Sequence, residues 1–213
     1  MQILKEDVRN KIREAALSEF KREGYLQASM RRIAQAAGVT SGNIYRYYES
    51  KEQLFDAIVQ PVFEQYTVNM KEIHHKVELS YQSDERINPV YFKNIESTLV
   101  ELFKTYSSEL TIMLNQSTGT KYENVKSDLR QLVYSILERV LLTIRGEETR
   151  LSPEDHALVQ MLSSTMMEGL CLLLRDNEEG DTLRKLVDQF LFVNYQGINA
   201  LIHQETRKRS GME

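Results

Sequence analysis

Residues 29–48 read S-M-R-R-I-A-Q-A-A-G-V-T-S-G-N-I-Y-R-Y-Y, and this segment decides how the first part of the chain folds. Apolar residues at helical spacing predict two short helices, and Gly38 marks the tight turn between them. Ser29 is a good N-cap for the first helix and Thr40 for the second. Two short helices that meet at such a turn form the plan of a helix-turn-helix, whose second helix enters the major groove of DNA. The same plan also occurs in proteins that never touch DNA.

The outer side of the second short helix carries polar groups suited to DNA. Hydroxyls and amides can bond phosphates or base edges, and Arg46 can bind a guanine through two hydrogen bonds. Gly42 has no side chain, so the backbone can approach DNA closely there. Lys51, at the start of the following helix, is placed to meet a phosphate. The side chains expected on the exposed side are Thr40, Ser41, Asn43, Tyr45, Arg46 and Tyr47.

The rest of the chain also has helical period almost throughout. Only 3 Pro and 9 Gly occur, which favours long helices over a turn-rich β architecture. The sequence therefore predicts an all-α fold: a three-helix domain at 1–51 and a larger helical domain at 52–213, connected by the helix that begins at residue 51. The nine predicted helices span about 6–23, 30–37, 40–47, 51–76, 89–106, 107–116, 121–146, 152–175 and 180–207. Ser50 is the expected N-cap of the helix at 51–76, and Ser152, followed by Pro153, that of the helix at 152–175.

Charge is unevenly distributed along the chain. Residues 1–51 contain ten Lys and Arg against six acids, a net of +4, and the remainder contains 17 bases against 25 acids, a net of −8. A positive head on an acidic body suggests that only the head meets a polyanion, although ordinary scatter of surface charge is the alternative.

Several function classes lack their signatures. No Gly-x-Ser-x-Gly elbow, P-loop or Rossmann glycine pattern occurs, so we expect no enzyme and no cofactor; only a catalytic pair assembled in space would escape these patterns. The histidines, of which His74 and His75 are adjacent, lack metal-ligand spacing and favour surface positions. The single cysteine, Cys171, is expected as a buried apolar residue. No signal peptide or membrane-length apolar run is found, so we expect a cytoplasmic protein without membrane contact.

A longer pattern surrounds the helix-turn-helix. From Ile12 to Leu54 the chain reads I-x-x-A-A-L-x-x-F, then G-Y, then I-A-x-A-A-G-V-T-S-G-N-I-Y-R-Y-Y-x-S-K-E-x-L. This segment, about a fifth of the chain, resembles the N-terminal domain of the TetR family of transcriptional regulators. Two positions depart from the usual pattern: Ala28 stands where Thr is common and Ser41 where Lys is common, which removes one phosphate contact and slightly lowers salt-dependent affinity.

The resemblance implies roles for individual residues. Thr40, Ser41, Asn43 and Arg46 would face bases or nearby phosphates. Tyr45, Tyr47 and Lys51 would hold the DNA backbone. Ser29 would cap its helix and reach a phosphate, and Tyr48 would belong to the core.

The resemblance also implies a homodimer through the helices at about 152–175 and 180–207. Both helices are strongly apolar, so one face can pack in its own domain while another meets a partner, and Gly169 allows close helix approach. A two-fold dimer would bind a palindromic operator in double-stranded DNA. The alternative is that both helices are internal core.

The middle helices of such proteins usually enclose a pocket for a small-molecule effector. Methionine and aromatic walls suit a bulky apolar ligand, although each of these residues could equally be core. The candidate lining residues are Phe92, Leu99, Phe103, Tyr106, Met113, Tyr134, Leu137, Met161 and Met166, with Asn115, Gln116 and Glu168 as polar groups.

The helix at 51–76 is the expected connection between effector and DNA. It starts on the DNA-binding domain, ends in the body, and contains Pro61, which favours a kink. We therefore expect a repressor that a ligand releases from its operator. The alternative is a DNA-binding protein of the same fold that acts through protein partners.

Overall fold

The computed structural model describes residues 2–82, 107–145, 150–177 and 180–209, and every regular element in these ranges is a helix. The predicted all-α class is therefore confirmed, while the predicted helix at 89–106 lies outside the described residues. The helices are α1 (Gln2–Gln27), α2 (Met30–Ala36), α3 (Ser41–Ile44), α4 (Lys51–Gln82), α5 (Ser107–Asn115), α6 (Val125–Arg145), α7 (Pro153–Asp176) and α8 (Asp181–Arg209).

Three helices begin at the side-chain caps that the sequence indicated. The hydroxyl oxygens of Thr40, Ser50 and Ser152 each accept a hydrogen bond from the backbone N–H three residues later, at 3.2, 3.0 and 3.1 Å. Pro153 occupies the first turn of α7, where its missing N–H costs nothing. These caps satisfy N–H groups that a helix start otherwise leaves without a partner.

Several helices differ in length from the prediction, among them α3 and α4. Helix α3 ends at Ile44, and residues 45–47 continue as turns. Helix α4 passes through Pro61 and runs to Gln82, beyond the predicted end at 76. An ion pair joins Glu72 and Lys76, one helical turn apart, at the predicted end of this helix.

The chain divides into two compact units. The N-terminal unit comprises Met1–Tyr66 and Tyr106–Lys126, and the C-terminal unit comprises Thr67–Thr105 and Ser127–Glu213. This division differs from the predicted boundary after residue 51. The reason is that the first half of α4 and the segment that contains α5 contribute to the core formed by α1.

An aromatic cluster fills the core of the N-terminal unit. Phe55 meets the rings of Phe20 and Tyr25 edge-on, with centroids 4.9 and 5.0 Å apart, and Phe63 meets Tyr122 in the same way at 5.0 Å. Phe20, Phe55 and Tyr122 are almost completely buried. Each such pair adds to the free energy of burial, so the cluster fixes α1, α4 and the segment after α5 in one arrangement.

The C-terminal unit is held together by aliphatic packing. Leu137 and Leu141 of α6 form a buried cluster with Val159 of α7. Helices α7 and α8 also approach closely, because a Cβ atom at Gly169 would lie 2.6 Å from the ring of Phe190. The expected role of Gly169 is thereby confirmed, as is the burial of Cys171.

Helix α7 is the one helix among the described residues that is long and apolar enough to cross a membrane, with a mean hydropathy of 1.5. Core helices of globular proteins share this composition. Its inner side, which includes Val159, Ser163 and Leu174, is buried inside the C-terminal unit. Its hydropathy is therefore weak evidence for a membrane span.

Candidate nucleic-acid interface

The turn between α2 and α3 fixes these two helices against each other. Gly38 has a φ of 69°, in the left-handed region that favours glycine. The N–H of Val39 donates to the carbonyl of Ala34 at 2.9 Å, across the turn. Ile33 and Ile44 are completely buried between the helices. The geometry is that of the predicted helix-turn-helix.

The side chains predicted for DNA lie on the outer side of this motif. Ser41, Tyr45 and Arg46 are exposed, Asn43 and Tyr47 are half-buried, and Tyr48 belongs to the core as expected. Tyr45 is 51% exposed, an unusual position for a large aromatic side chain. Helix α3 and the turn after it therefore present a phenol, a guanidinium and hydroxyl groups outward together, which can reach phosphates and base edges.

Nothing within the described residues requires a glycine at position 42. A Cβ atom at this position would find nothing within 4 Å, and the backbone is not in the left-handed region. A glycine inside a helix normally lowers helix stability relative to alanine. The space left by the missing side chain thus faces outward, where another molecule can approach the backbone.

Ser29 occupies the predicted N-cap position of α2, but its hydroxyl makes no capping hydrogen bond. A carboxylate from α1 interacts there instead: Glu19 Oε1 accepts a hydrogen bond from the backbone N–H of Ser29 at 3.1 Å. The same carboxylate is 2.6 Å from Arg32 Nε and from a terminal nitrogen of Arg22. The expected side-chain cap is therefore wrong, because Glu19 bonds the start of the helix from the neighbouring helix.

The expected role of Lys51 as a phosphate ligand stays a prediction, and its ammonium group has partners within the chain. Its Nζ donates to the carbonyl oxygens of Tyr25, Leu26 and Ala28, at 2.7, 3.1 and 3.2 Å, and lies 4.6 Å from the centroid of the Tyr25 ring. Partial burial lowers the pKa of Lys51. An ammonium group has three N–H donors, and all three are used at the end of α1. Lys51 thus holds the turn that leads into α2.

Neither Glu19 nor its arginine partners were singled out from the sequence. Glu19 follows Ile12 and Ala16 at helical spacing, on the side of α1 that is buried. A carboxylate on an otherwise apolar helix face requires a cationic partner, and this was the available signal.

The candidate effector residues that the structure describes are divided between the two units. Met113 is fully buried and Asn115 half-buried in the N-terminal unit, where the side-chain amide of Gln116 donates to the carbonyl of Lys21. In the C-terminal unit, Leu137 is buried, and Tyr134 and Met166 pack against the aliphatic cluster. Met161 and Glu168 are exposed, so they do not line an interior pocket of this unit. Four candidates lie outside the described residues: Phe92, Leu99, Phe103 and Tyr106.

One polar cluster in the C-terminal unit was missed by sequence reasoning. The hydroxyl of Tyr134 is 2.6 Å from His156 Nδ1, and the carboxylate of Glu138 is 3.8 Å from the same nitrogen. Tyr134 and Glu138 are one helical turn apart on α6. Within the described ranges no group of three or more His, Cys, Asp or Glu side chains is arranged to hold a metal ion.

Comparison with known proteins agrees with this geometry. The family described as bacterial regulatory proteins, tetR family, matches residues 12–58. YhgD, an HTH-type transcriptional regulator of Bacillus subtilis, is 32% identical over 118 residues, which cover 53% of this chain and 54% of that protein. AcrR, an HTH-type transcriptional regulator of Shigella flexneri, is 25% identical over 175 residues, which cover 81% of this chain and 78% of AcrR. The chain thus spans about half the length of the first relative.

Solved structures share the fold. A TetR-family transcriptional regulator from Bordetella parapertussis superposes with a TM-score of 0.52 and 18% identity, over 88% of this chain and 93% of that chain. A TetR-family regulator from Chloroflexus aurantiacus has the same TM-score with 14% identity, over 95% of this chain and 93% of that chain. The matched segment, residues 12–58, contains the whole helix-turn-helix described above, and over this segment the chain is similar to the tetR family of bacterial regulatory proteins.

Proposed function

We propose that this protein represses transcription by binding operator DNA as a homodimer, and that a small-molecule effector releases it. The observation that carries the proposal is the outward face of α3 and the turn after it, where Tyr45 and Arg46 extend without a side-chain hydrogen bond to any described residue. Neither side chain contributes to the core. Their chemistry fits the phosphates and base edges of a DNA groove.

A second copy of the chain is the proposed partner of α7 and α8. Met161 and Leu172 are 53% and 45% exposed, and they lie eleven residues apart, which places them on one face of α7. On α8, Phe192 and Val193 are 57% and 67% exposed. Large apolar side chains outside the core of a monomer mark interaction surfaces. A two-fold dimer through these helices would give two recognition helices and hence a palindromic operator.

The effector is proposed to bind in the C-terminal unit. A small cavity of about 20 Å³ lies there between α6, α7 and α8, and every side chain around it is aliphatic. Ligand pockets measure roughly 300–1,000 Å³, so an effector at this place would have to separate the helices. Such a ligand would be apolar, and opening the cavity would cost packing energy that its binding must offset.

The experiment that tests DNA binding is a titration of the chain against its own promoter fragment at two salt concentrations. The double variant Tyr45→Ala/Arg46→Ala is expected to bind the operator about 100-fold more weakly, because each lost contact to a base or phosphate costs roughly 1–3 kcal/mol. Val68→Ala is the matched control, since Val68 is 60% exposed on α4, away from the motif. Equal affinity of wild type and double variant would contradict the proposal, as would the absence of any enriched palindrome in a selection from random DNA.

Gly42→Ala gives a second test of the same face. The added methyl group meets nothing within 4 Å, so the free energy of unfolding is expected to stay the same or to rise slightly. If DNA approaches the backbone there, operator affinity falls by at least tenfold while thermal stability is retained. Unchanged affinity would show that the DNA does not approach Gly42.

A further inference from the structure

Glu19 is a charged side chain with only 4% exposure, placed on the apolar side of α1. A buried carboxylate is costly unless cations and hydrogen-bond donors surround it. Three donors converge on it here: Arg22, Arg32 and the backbone N–H of Ser29. Both oxygens are used, since Oε1 accepts from Ser29 and Arg32 while Oε2 accepts from Arg22.

This carboxylate bonds one N–H group at the start of α2, that of the N-cap residue Ser29. The start of α2 has N–H groups without helical partners, and the Ser29 hydroxyl makes no capping hydrogen bond. Glu19 accepts from the backbone N–H of Ser29, and Arg32, in the first turn of α2, bonds both Glu19 and the carbonyl of Gln27. α1 is therefore tied to the beginning of α2 through charge-assisted hydrogen bonds, which are stronger than neutral ones.

The position of α2 sets the position of α3. Helix α3 has four residues and cannot hold its own orientation. It is fixed by the buried side chain of Ile44 against Ile33 and Ala34 of α2, and by the hydrogen bond from Val39 to Ala34. A change in the direction of α2 therefore moves the outward face that carries Tyr45 and Arg46.

We propose that Glu19 is a positioning residue for DNA recognition: its charge, bound by Arg22 and Arg32, orients the recognition helix from the opposite end of the motif. The inference rests on the proposed function. Glu19 itself is buried and touches no DNA. Arg32 is half-exposed and basic, so its effect on DNA binding would otherwise be taken for a phosphate contact.

Glu19→Gln is the decisive variant because it keeps the size of the side chain and removes its charge. The amide can still accept from Ser29, but it no longer attracts the two arginines. Glu23→Gln is the matched control. Glu23 also pairs with Arg22 and lies 3.9 Å from Arg32, yet it is more exposed and makes no hydrogen bond to Ser29.

The measurement is the ratio of operator affinity to affinity for unrelated DNA, at several salt concentrations and at a temperature where circular dichroism shows all variants folded. Glu19→Gln is expected to lower this ratio about tenfold, with the wild-type salt dependence, whereas Glu23→Gln leaves the ratio unchanged. Loss of folded protein alone would lower both affinities equally and would not move the ratio.

Arg32→Gln supplies a second variant at a more exposed position, in which Arg22 still pairs with Glu19. It is expected to lower the ratio to the same extent, and the double variant Glu19→Gln/Arg32→Gln to be no worse than either single variant, because both remove one interaction. A reduced salt slope for Arg32→Gln would instead reveal a phosphate contact. If wild type is selective and Glu19→Gln keeps the wild-type ratio, the positioning role is overturned while the proposed function stands. A wild-type chain without selectivity contradicts both.

Discussion

The two units differ in what they leave exposed. In the N-terminal unit most large apolar side chains are buried around an aromatic cluster, and the exposed large apolar side chains of its described residues are Leu26 and Tyr45. In the C-terminal unit, long helices keep large apolar side chains outside the core, among them Phe192 and Val193. The first surface suits a polyanion, and the second suits another apolar surface.

The two units also use charge differently. The N-terminal unit contains a half-buried lysine and a buried glutamate, Lys51 and Glu19, at the two sides of the turn between α1 and α2. The aliphatic cluster of the C-terminal unit is formed by Leu137, Leu141, Leu151 and Val159. Directional bonds fix one orientation, whereas aliphatic packing tolerates rearrangement more easily. A DNA-reading motif needs the first property and a unit that responds to a ligand needs the second.

The largest effect is expected from charging the exposed apolar face of the C-terminal unit. Leu172→Glu/Phe192→Glu should weaken the proposed dimer by on the order of a thousandfold, because each buried apolar side chain contributes about 1.5–3 kcal/mol and both copies carry the change. Sedimentation or light scattering measures the change in mass. Operator binding should fall with it, since one recognition helix reaches only half of a palindrome.

Leu26→Glu is the control for this prediction. Leu26 is 59% exposed, more than Leu172, but it lies in the N-terminal unit. It should leave the oligomeric state unchanged. If the Leu172/Phe192 variant keeps the mass of the wild type, the exposed face is not the dimer interface.

The features of the fold that the sequence could predict are local ones. Local rules were sufficient where one residue decides a local feature: Thr40, Ser50 and Ser152 cap the helices they were expected to cap, and Gly38 forms the turn. The unit boundary was missed, because it depends on contacts between α1 and residues about 90 positions later, such as Gln116. Periodicity along a chain contains no information on which helices meet.

A second prediction concerns Lys51, which resemblance placed at the DNA and the structure places at the end of α1. Lys51→Met keeps the length of the side chain and removes three hydrogen bonds from a charged group. The free energy of unfolding should fall by about 1–3 kcal/mol. Operator affinity should fall as well, with the wild-type salt slope, because no phosphate contact is lost.

Salt titration separates the two roles of Lys51. A phosphate contact would reduce the slope of log affinity against log salt by about 1, as expected for Arg46→Ala on the outward face. Lys11→Met is the control for charge, since Lys11 is an exposed lysine of α1. If Lys51→Met reduces the slope of log affinity against log salt and leaves stability unchanged, Lys51 contacts a DNA phosphate.

In the candidate site, too, features set by neighbouring residues were predicted, and contacts between residues distant in sequence were not. Exposure of Ser41, Tyr45 and Arg46 follows from helical period and was predicted correctly. The hydrogen bonds from Lys51 to backbone carbonyl groups and from the Ser29 N–H to Glu19 were not predicted. Both sets of hydrogen bonds depend on how α1 and the start of α2 pack against their neighbours in space. The sequence alone does not distinguish a charged residue that binds DNA from one that binds its own backbone.

The smallest expected effect compares one tyrosine from each unit. Tyr122 is fully buried, donates to Gln60 Oε1 at 2.7 Å, and has its pKa raised to about 12, first by burial and against the opposing effect of Lys121. Tyr134, in the C-terminal unit, also has its pKa raised by burial, but it is only partly buried. Only the Tyr122 shift is large enough to be seen as a pH effect on stability.

The sign follows from which state loses its proton first. An unfolded chain releases the Tyr122 proton near its ordinary pKa of about 10, whereas the folded chain retains it until about 12. The free energy of unfolding should therefore fall between these two values, by on the order of 1 kcal/mol near pH 11. Urea titrations at about pH 8 and pH 11 should show a smaller fall for Tyr122→Phe than for wild type or Tyr134→Phe. An equal fall in all three would mean that the Tyr122 phenol is as solvated as that of Tyr134, and that the N-terminal core is less tightly closed than its aromatic contacts indicate.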